Sequence, residues 1–285
     1  VYSDEQYDKA ITLYKNYLQK YGDGFFKINV HYYLGECLFN RGHQTDAMPH
    51  FEYVVQQPKN EFTEQSLVFA SQVLMNYSQY DKAVPYLILL ETTAEQKPNV
   101  LYARKSQVEA YSKMKEYQKL VDVVENFIVT EKVTDNDKRW ANMCSAMAYD
   151  SLGDTTNALI KYRTVALEYV TAEGSESKYR VASILFDQKN YAEAEKEILD
   201  FLEKSSSHQY WLGKSYILWA RIFMARNELF QARYTLQNVL QHYKIQDDGI
   251  IAEVNDTLDE ITDMEMAAKA QETHSVELDM EGKNE

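Results

Sequence analysis

The stretch Tyr33-Leu34-Gly35-Glu36-Cys37-Leu38-Phe39, followed by Gly42, Ala47 and Phe51, decides the fold. A small residue, Gly35, precedes a large one, Leu38, and after a turn residue come Ala47 and, four places on, Phe51. Two helices that cross closely need this: small side chains admit the approach and the large one fills the remaining gap. The pattern recurs. An aromatic or turn residue, two mostly polar residues and Ala stand at Tyr7 to Ala10, Gln44 to Ala47, Tyr80 to Ala83, Thr155 to Ala158, Tyr191 to Ala194 and Leu229 to Ala232, with Tyr117 to Leu120 in the same register. Successive last positions are 37, 36, 37, 38, 36 and 38 residues apart. A period of this size marks stacked supersecondary units rather than one irregular core.

Downstream of each anchor, apolar residues fall at plus four and plus seven, as in Ala47/Phe51/Val54, Ala83/Leu87/Leu90 and Ala194/Ile198/Phe201. That is one face of a helix, here helix B of each unit. Upstream lies helix A, with a small and then a large residue: Gly35/Leu38, Ser71/Leu74, Ala146/Tyr149, Ala182/Leu185 and Ala220/Phe223. In the unit ending at Leu120 the small places are held by Val108 and Leu120, so that hairpin is expected to be splayed or repacked. Pro58 and Pro98 are placed in connectors between units, while Pro49 and Pro85 fall inside helix B at one repeat position.

Position by position, the quoted stretch resembles a unit of the tetratricopeptide repeat (TPR) family, and the resemblance covers about residues 1–245. It implies an all-α, right-handed α-solenoid of helix–turn–helix repeats with no sheet, closed by a C-terminal capping helix. The expected boundaries are a partial first repeat over 1–24, six complete hairpins over 25–246, a capping helix over 247–270 with Asp247 or Asp248 as its N-cap, and an acidic tail over 271–285. Disorder is the default expectation for that tail. Val1 corresponds to a point inside a helix A, so further repeats are expected to precede it. The stripe Tyr7, Ala10, Ile11, Tyr14 and Leu18 would then stay open and support self-association through residues 1–20. The Tyr-rich, acidic composition is similar to that of bacterial envelope TPR proteins.

Composition and motifs exclude several function classes. A formal charge of −14 opposes a phosphate backbone, so nucleic acid is not an expected partner. No apolar run reaches the length of a membrane span. Cys37 and Cys144 lie far apart with no CxxC, so no disulfide framework or zinc site is encoded. There is no HExxH, GxGxxG or GxxxxGK[ST], and Gly is scarce (9 residues). No catalytic residue, metal ligand or cofactor is therefore assigned, and His31, on a helix A, is taken as a packing or groove residue.

The resemblance implies a concave groove lined by fixed helix A positions. Carried onto this chain, they are Asn29, Tyr32, Glu36 and Asn40; Gln65, Gln72 and Asn76; Tyr102, Lys105, Glu109 and Lys113; Trp140, Met147 and Asp150; Tyr179 and Asp187; and Lys214 and Arg221. Rings and thioethers interleaved with amides suit an extended peptide, because the former give adaptable apolar contact and the latter pair with its main chain. The family's clamp for a terminal carboxylate needs more free positive charge than Lys105 and Lys113 provide opposite Glu36 and Glu109. The expected function is a non-enzymatic scaffold binding a protein or peptide. The alternative is a structural spacer or self-assembly segment of a longer repeat protein.

Overall fold

The computed structural model describes residues 4–204 and 207–281, with side chains described for 6–204 and 207–270. Among the described residues there are fourteen helices and no strand, divided between two compact units of residues 1–153 and 154–285. The first unit holds α1 (Asp4–Lys20), α2 (Lys27–Asn40), α3 (Gln44–Val55), α4 (Thr63–Asn76), α5 (Tyr80–Thr93), α6 (Lys97–Met114), α7 (Tyr117–Ile128) and α8 (Asp135–Ser151). The second holds α9 (Thr155–Ala166), α10 (Ala172–Asp187), α11 (Tyr191–Glu203), α12 (Gln209–Ala225), α13 (Leu229–His242) and α14 (Ile250–Glu281). Within each unit consecutive helices pack on one another. A helices also meet A helices, as in α4 with α6, α6 with α8 and α10 with α12. This is an all-α helical-repeat solenoid.

The anchor alanines lie in the core of the hairpins: Ala47, Ala83, Ala158, Ala194 and Ala232 have no exposed surface. Val108 and Leu120 are equally buried. Both join Val121, Val124 and Phe127 in one apolar cluster, so the extra volume is absorbed by repacking inside the α6–α7 hairpin. Pro49 and Pro85 leave α3 and α5 unbroken. Each Pro is exposed, and so is the residue four before it, Thr45 or Asp81, so water can reach the carbonyl deprived of its ladder bond. Pro98 differs from expectation: it stands in the first turn of α6, where a missing N–H costs nothing.

The A-to-B turn is one device used six times. Gly42 (φ 81°), Ser78 (56°), Lys115 (57°), Gly153 (76°), Lys189 (59°) and Asn227 (59°) all adopt left-handed backbone. In the first hairpin the His43 N–H donates to the Leu38 carbonyl at 2.8 Å and the Gly42 N–H to that of Phe39 at 2.9 Å. The pair recurs as Gln79 to Leu74 with Ser78 to Met75, and as Asn190 to Leu185 with Lys189 to Phe186. These are Schellman motifs, which satisfy the last carbonyls of a helix while reversing the chain. A side chain at such a position is strained, whereas Gly is not. Replacing Ser78, Lys115 or Lys189 by Gly is therefore expected to raise stability by about 0.5–1 kcal/mol each, read as a shift in urea midpoint. A fall at all three positions would show that the turn is held in another conformation.

Two expectations are corrected. The stripe Ile11, Tyr14 and Leu18 is not open: it is half-buried against the cluster of Leu34, Leu38, Ala47, Phe51 and Ala70. Tyr14 also stacks on Tyr33 with ring centroids 6.3 Å apart. Acting as a helix B, α1 turns that face onto the following helix A, so Ile11, Tyr14 and Leu18 are partly covered within the chain and, like Tyr7 and Ala10, keep intermediate exposure. At the other end, α14 does not stop near residue 270 but runs to Glu281. Within the segment read as tail, Gln271, Glu272, Glu277, Leu278, Met280 and Glu281 are residues that favour helix without needing tertiary contact. Residues 282–285 of that tail, and Val1, lie outside the described residues. The Asp248 carboxylate does accept the Ile250 N–H at 3.1 Å and also the Tyr243 hydroxyl at the start of α14.

Candidate functional site

The A-helix face is built in each unit by side chains that the repeat spacing brings to the same level. In the first unit, Lys105, Glu109 and Lys113 of α6 face Trp140 of α8 across a cavity of about 450 Å³, with Ser112 and Asp137 completing its wall. The Lys105 ammonium donates to Asp137 at 2.6 Å. That bond, with the Thr134 hydroxyl and N–H, holds the Asp137 carboxyl below the usual range. Trp140 is fixed edge-on to Phe127 at 6.3 Å.

In the second unit, Tyr179 and Asp187 of α10 face Lys214 and Arg221 of α12 across a cavity of about 200 Å³, whose wall includes Glu253 of α14. Both Glu253 oxygens accept from Lys214 at 2.8 Å. Burial alone would lower the Lys214 pKa, but the Glu253 bond and the neighbouring Tyr179 hold it above the ordinary value. The Lys214 ammonium also lies 5.6 Å from the Tyr179 ring centroid, within cation–π range. Arg221 reaches Glu260 at 3.7 Å.

Other predicted groove residues fare differently. Tyr32 is buried, stacked on Phe62 at 4.6 Å, and its hydroxyl is pushed up to about 12 by burial and then by Glu36. It is a packing residue between hairpins, not a groove wall. Tyr102 is half-buried with its hydroxyl 3.3 Å from Ser71, and it packs between α4 and α6. The Asn76 amide donates back to Gln44 at 3.2 Å. Asn29, Gln65, Gln72 and Asp150 are half-buried, and Asn40 and Met147 are exposed. Glu36 is half-buried, and burial raises its pKa.

Sequence reasoning missed Asp137, Glu253 and Glu260 as members of this face. For Asp137 the signal was Thr134-x-x-Asp137, a capping box whose Thr hydroxyl accepts the Asp137 N–H at 3.1 Å. For the other two it was spacing: Lys214 and Arg221 stand seven residues apart, as do Glu253 and Glu260, two turns on each helix.

His31 proves to be a packing residue. Its Nδ1 lies 2.9 Å from Nδ1 of His50, joining α2 to α3, and its ring stacks on Tyr53 at 4.0 Å. Burial, then His50 and Lys27, lower its pKa to about 4 from the ordinary 6.5. The unfolded chain therefore takes up this proton first as pH falls. Stability should drop as pH falls from 6.5 to about 4, and this ring should cause no further loss below that. After discounting for screening of a half-exposed ring, about 1–2 kcal/mol should be lost. Denaturation at pH 7 and 4.5 should show a smaller loss for His31→Phe than for the wild type, and equal losses would contradict the assignment.

Paired helices meeting at a buried Ala and reversing on a single left-handed residue define an all-α helical-repeat fold. No protein-family model and no curated protein matches the sequence. Among solved structures the chain is similar to Naa15/Naa10 bound to HypK-THB, at 14% identity over 93% of this chain and 40% of that chain, with a TM-score of 0.58. It is also similar to a tetratricopeptide repeat protein from Parabacteroides merdae, at 14% identity over 90% and 93% of the two chains, TM-score 0.43. A third is the TPR2AB-domain:pHSP90 complex of yeast Sti1, at 14% identity over 84% and 100%, TM-score 0.35. At these identities the likeness is one of fold.

Among the described residues no helix is long and apolar enough to cross a membrane, and no group of three or more His, Cys, Asp or Glu is placed to hold a metal ion.

Proposed function

We propose that the chain is a non-enzymatic scaffold that holds a protein or an extended peptide against its A-helix face. The observation that carries this reading is the pair of open cavities, one in each unit, each walled by an aromatic ring and by charged side chains at the repeat positions named above. A ring beside polar groups is what an interface anchor requires: apolar area for affinity and hydrogen bonds for register. The Naa15/Naa10 neighbour, bound to HypK-THB, supports the reading at the level of fold.

Selection of displayed peptides of about twelve residues on the intact chain tests it. Ligands should lose about tenfold or more in affinity on Trp140→Ala or Tyr179→Ala, the scale of one interface anchor. Because Trp140 also packs on Phe127, Glu109→Lys and Asp187→Lys, at exposed positions, serve as second variants that leave packing intact. Ligands indifferent to all four changes, or no ligand at all, would overturn the proposal in favour of a spacer.

A further inference from the structure

We infer that the segment held by the A-helix face is basic, carrying more Lys and Arg than Asp and Glu. The inference rests on the proposed scaffold function and deepens it by naming the partner's chemistry.

Most cations of the face are already committed, and most of its carboxylates are not. In the second unit both cations of the face are already neutralised. Lys214 is held by both oxygens of Glu253, and Arg221 faces Glu260 at 3.7 Å. Those carboxylates come from α14, which packs on α12 where a further helix A would stand. The charge left over is Asp187, exposed and with no ion pair among the described residues.

In the first unit Lys105 is likewise taken, by Asp137 at 2.6 Å. Glu36, Glu109 and Asp150 make no ion pair among the described residues, and against these three carboxylates stands one uncommitted cation, Lys113. Glu36 is the telling member, because it is half-buried, its pKa is raised by that burial, and no cation offsets the cost. A carboxylate so placed gains most from an incoming ammonium or guanidinium, since partial desolvation strengthens the pair.

Long-range steering acts in the same direction, because a chain with a formal charge of −14 attracts cationic segments before contact. Conversely, an acidic tail finds Lys113 alone, where a bidentate clamp needs several free donors. Complementarity of this kind decides partner choice and association rate more than total affinity.

The same peptide selection tests the inference, read by composition and by two charge-matched variants. Glu36→Gln/Glu109→Gln/Asp150→Asn removes the uncommitted face charges. Glu61→Gln/Asp81→Asn/Asp122→Asn removes as many exposed charges from a loop and from B helices. Selected peptides should be enriched in Lys and Arg, with affinity falling about tenfold on the first variant and less than about twofold on the second, at fixed ionic strength. Equal losses on the two variants would reduce the effect to bulk attraction and overturn the inference. So would peptides that depend on Trp140 or Tyr179 yet show no basic excess, a result that leaves the scaffold function standing. Absence of any peptide dependent on the face overturns the scaffold function itself.

Discussion

Phe51→Ala is expected to lower the stability of the first unit by about 3–5 kcal/mol, the range for removing a fully buried aromatic ring. Phe51 has no exposed surface and stacks on Phe69 at 5.0 Å. It fills the space that Gly35 vacates: a Cβ added at Gly35 would stand 2.8 Å from the Phe51 ring. The two positions are therefore coupled. Gly35→Ala should cost about 1–2 kcal/mol in the wild type through overpacking, and little or nothing once Phe51 is Ala, because the ring it collides with is gone. Chemical denaturation of the two single variants and the double variant measures the coupling. Simple additivity would show that Gly35 and Phe51 do not share one contact.

The second large effect is expected at Gly174, in the first turn of α10. Helix propensity alone says that Ala there should stabilise by up to about 1 kcal/mol. Packing says the reverse. A Cβ at Gly174 would overlap the backbone carbonyl of Glu168 and approach the Tyr169 nitrogen to 2.9 Å. These are main-chain atoms, which cannot rotate away as a side chain could. The turn is also pinned by the Thr171 hydroxyl, which accepts the Gly174 N–H at 3.1 Å. Gly174→Ala should therefore cost about 3 kcal/mol or more, placing it beyond the usual overpacking range. The comparison is Gly153→Ala, where no atom lies within 4 Å and only the left-handed backbone (φ 76°) penalises the change, by about 1 kcal/mol. If the two variants unfolded at the same denaturant concentration, the seating of α10 on residues 168–169 would be wrong.

Some of this was legible in the chain itself and some was not. Gly42, Gly153 and, more weakly, Asn227 announce a left-handed turn, but Ser78, Lys115 and Lys189 occupy the same conformation without any local signal. There the two packed helices impose the reversal and the residue tolerates it. Tyr32 and Trp140 both stand at face positions. Tyr32 nevertheless sinks beneath Phe62 from the loop before α4, while Trp140 borders an open cavity. Residue type does not separate these fates, because an aromatic side chain serves equally as filler or as wall.

The repeat spacing of 36 to 38 residues, the buried anchor alanines and the paired periodicities of helices A and B were determined by the sequence alone. Hydrophobic burial at fixed spacing admits few other architectures. What only the tertiary structure decided is the charge the face presents. Lys105, Lys214 and Arg221 look like free cations in the chain, and become committed only when a neighbouring helix brings Asp137, Glu253 and Glu260 beside them. Each of those pairs joins residues more than thirty positions apart, so its energy depends on ångström-scale separation in space, a quantity that spacing along the chain does not contain.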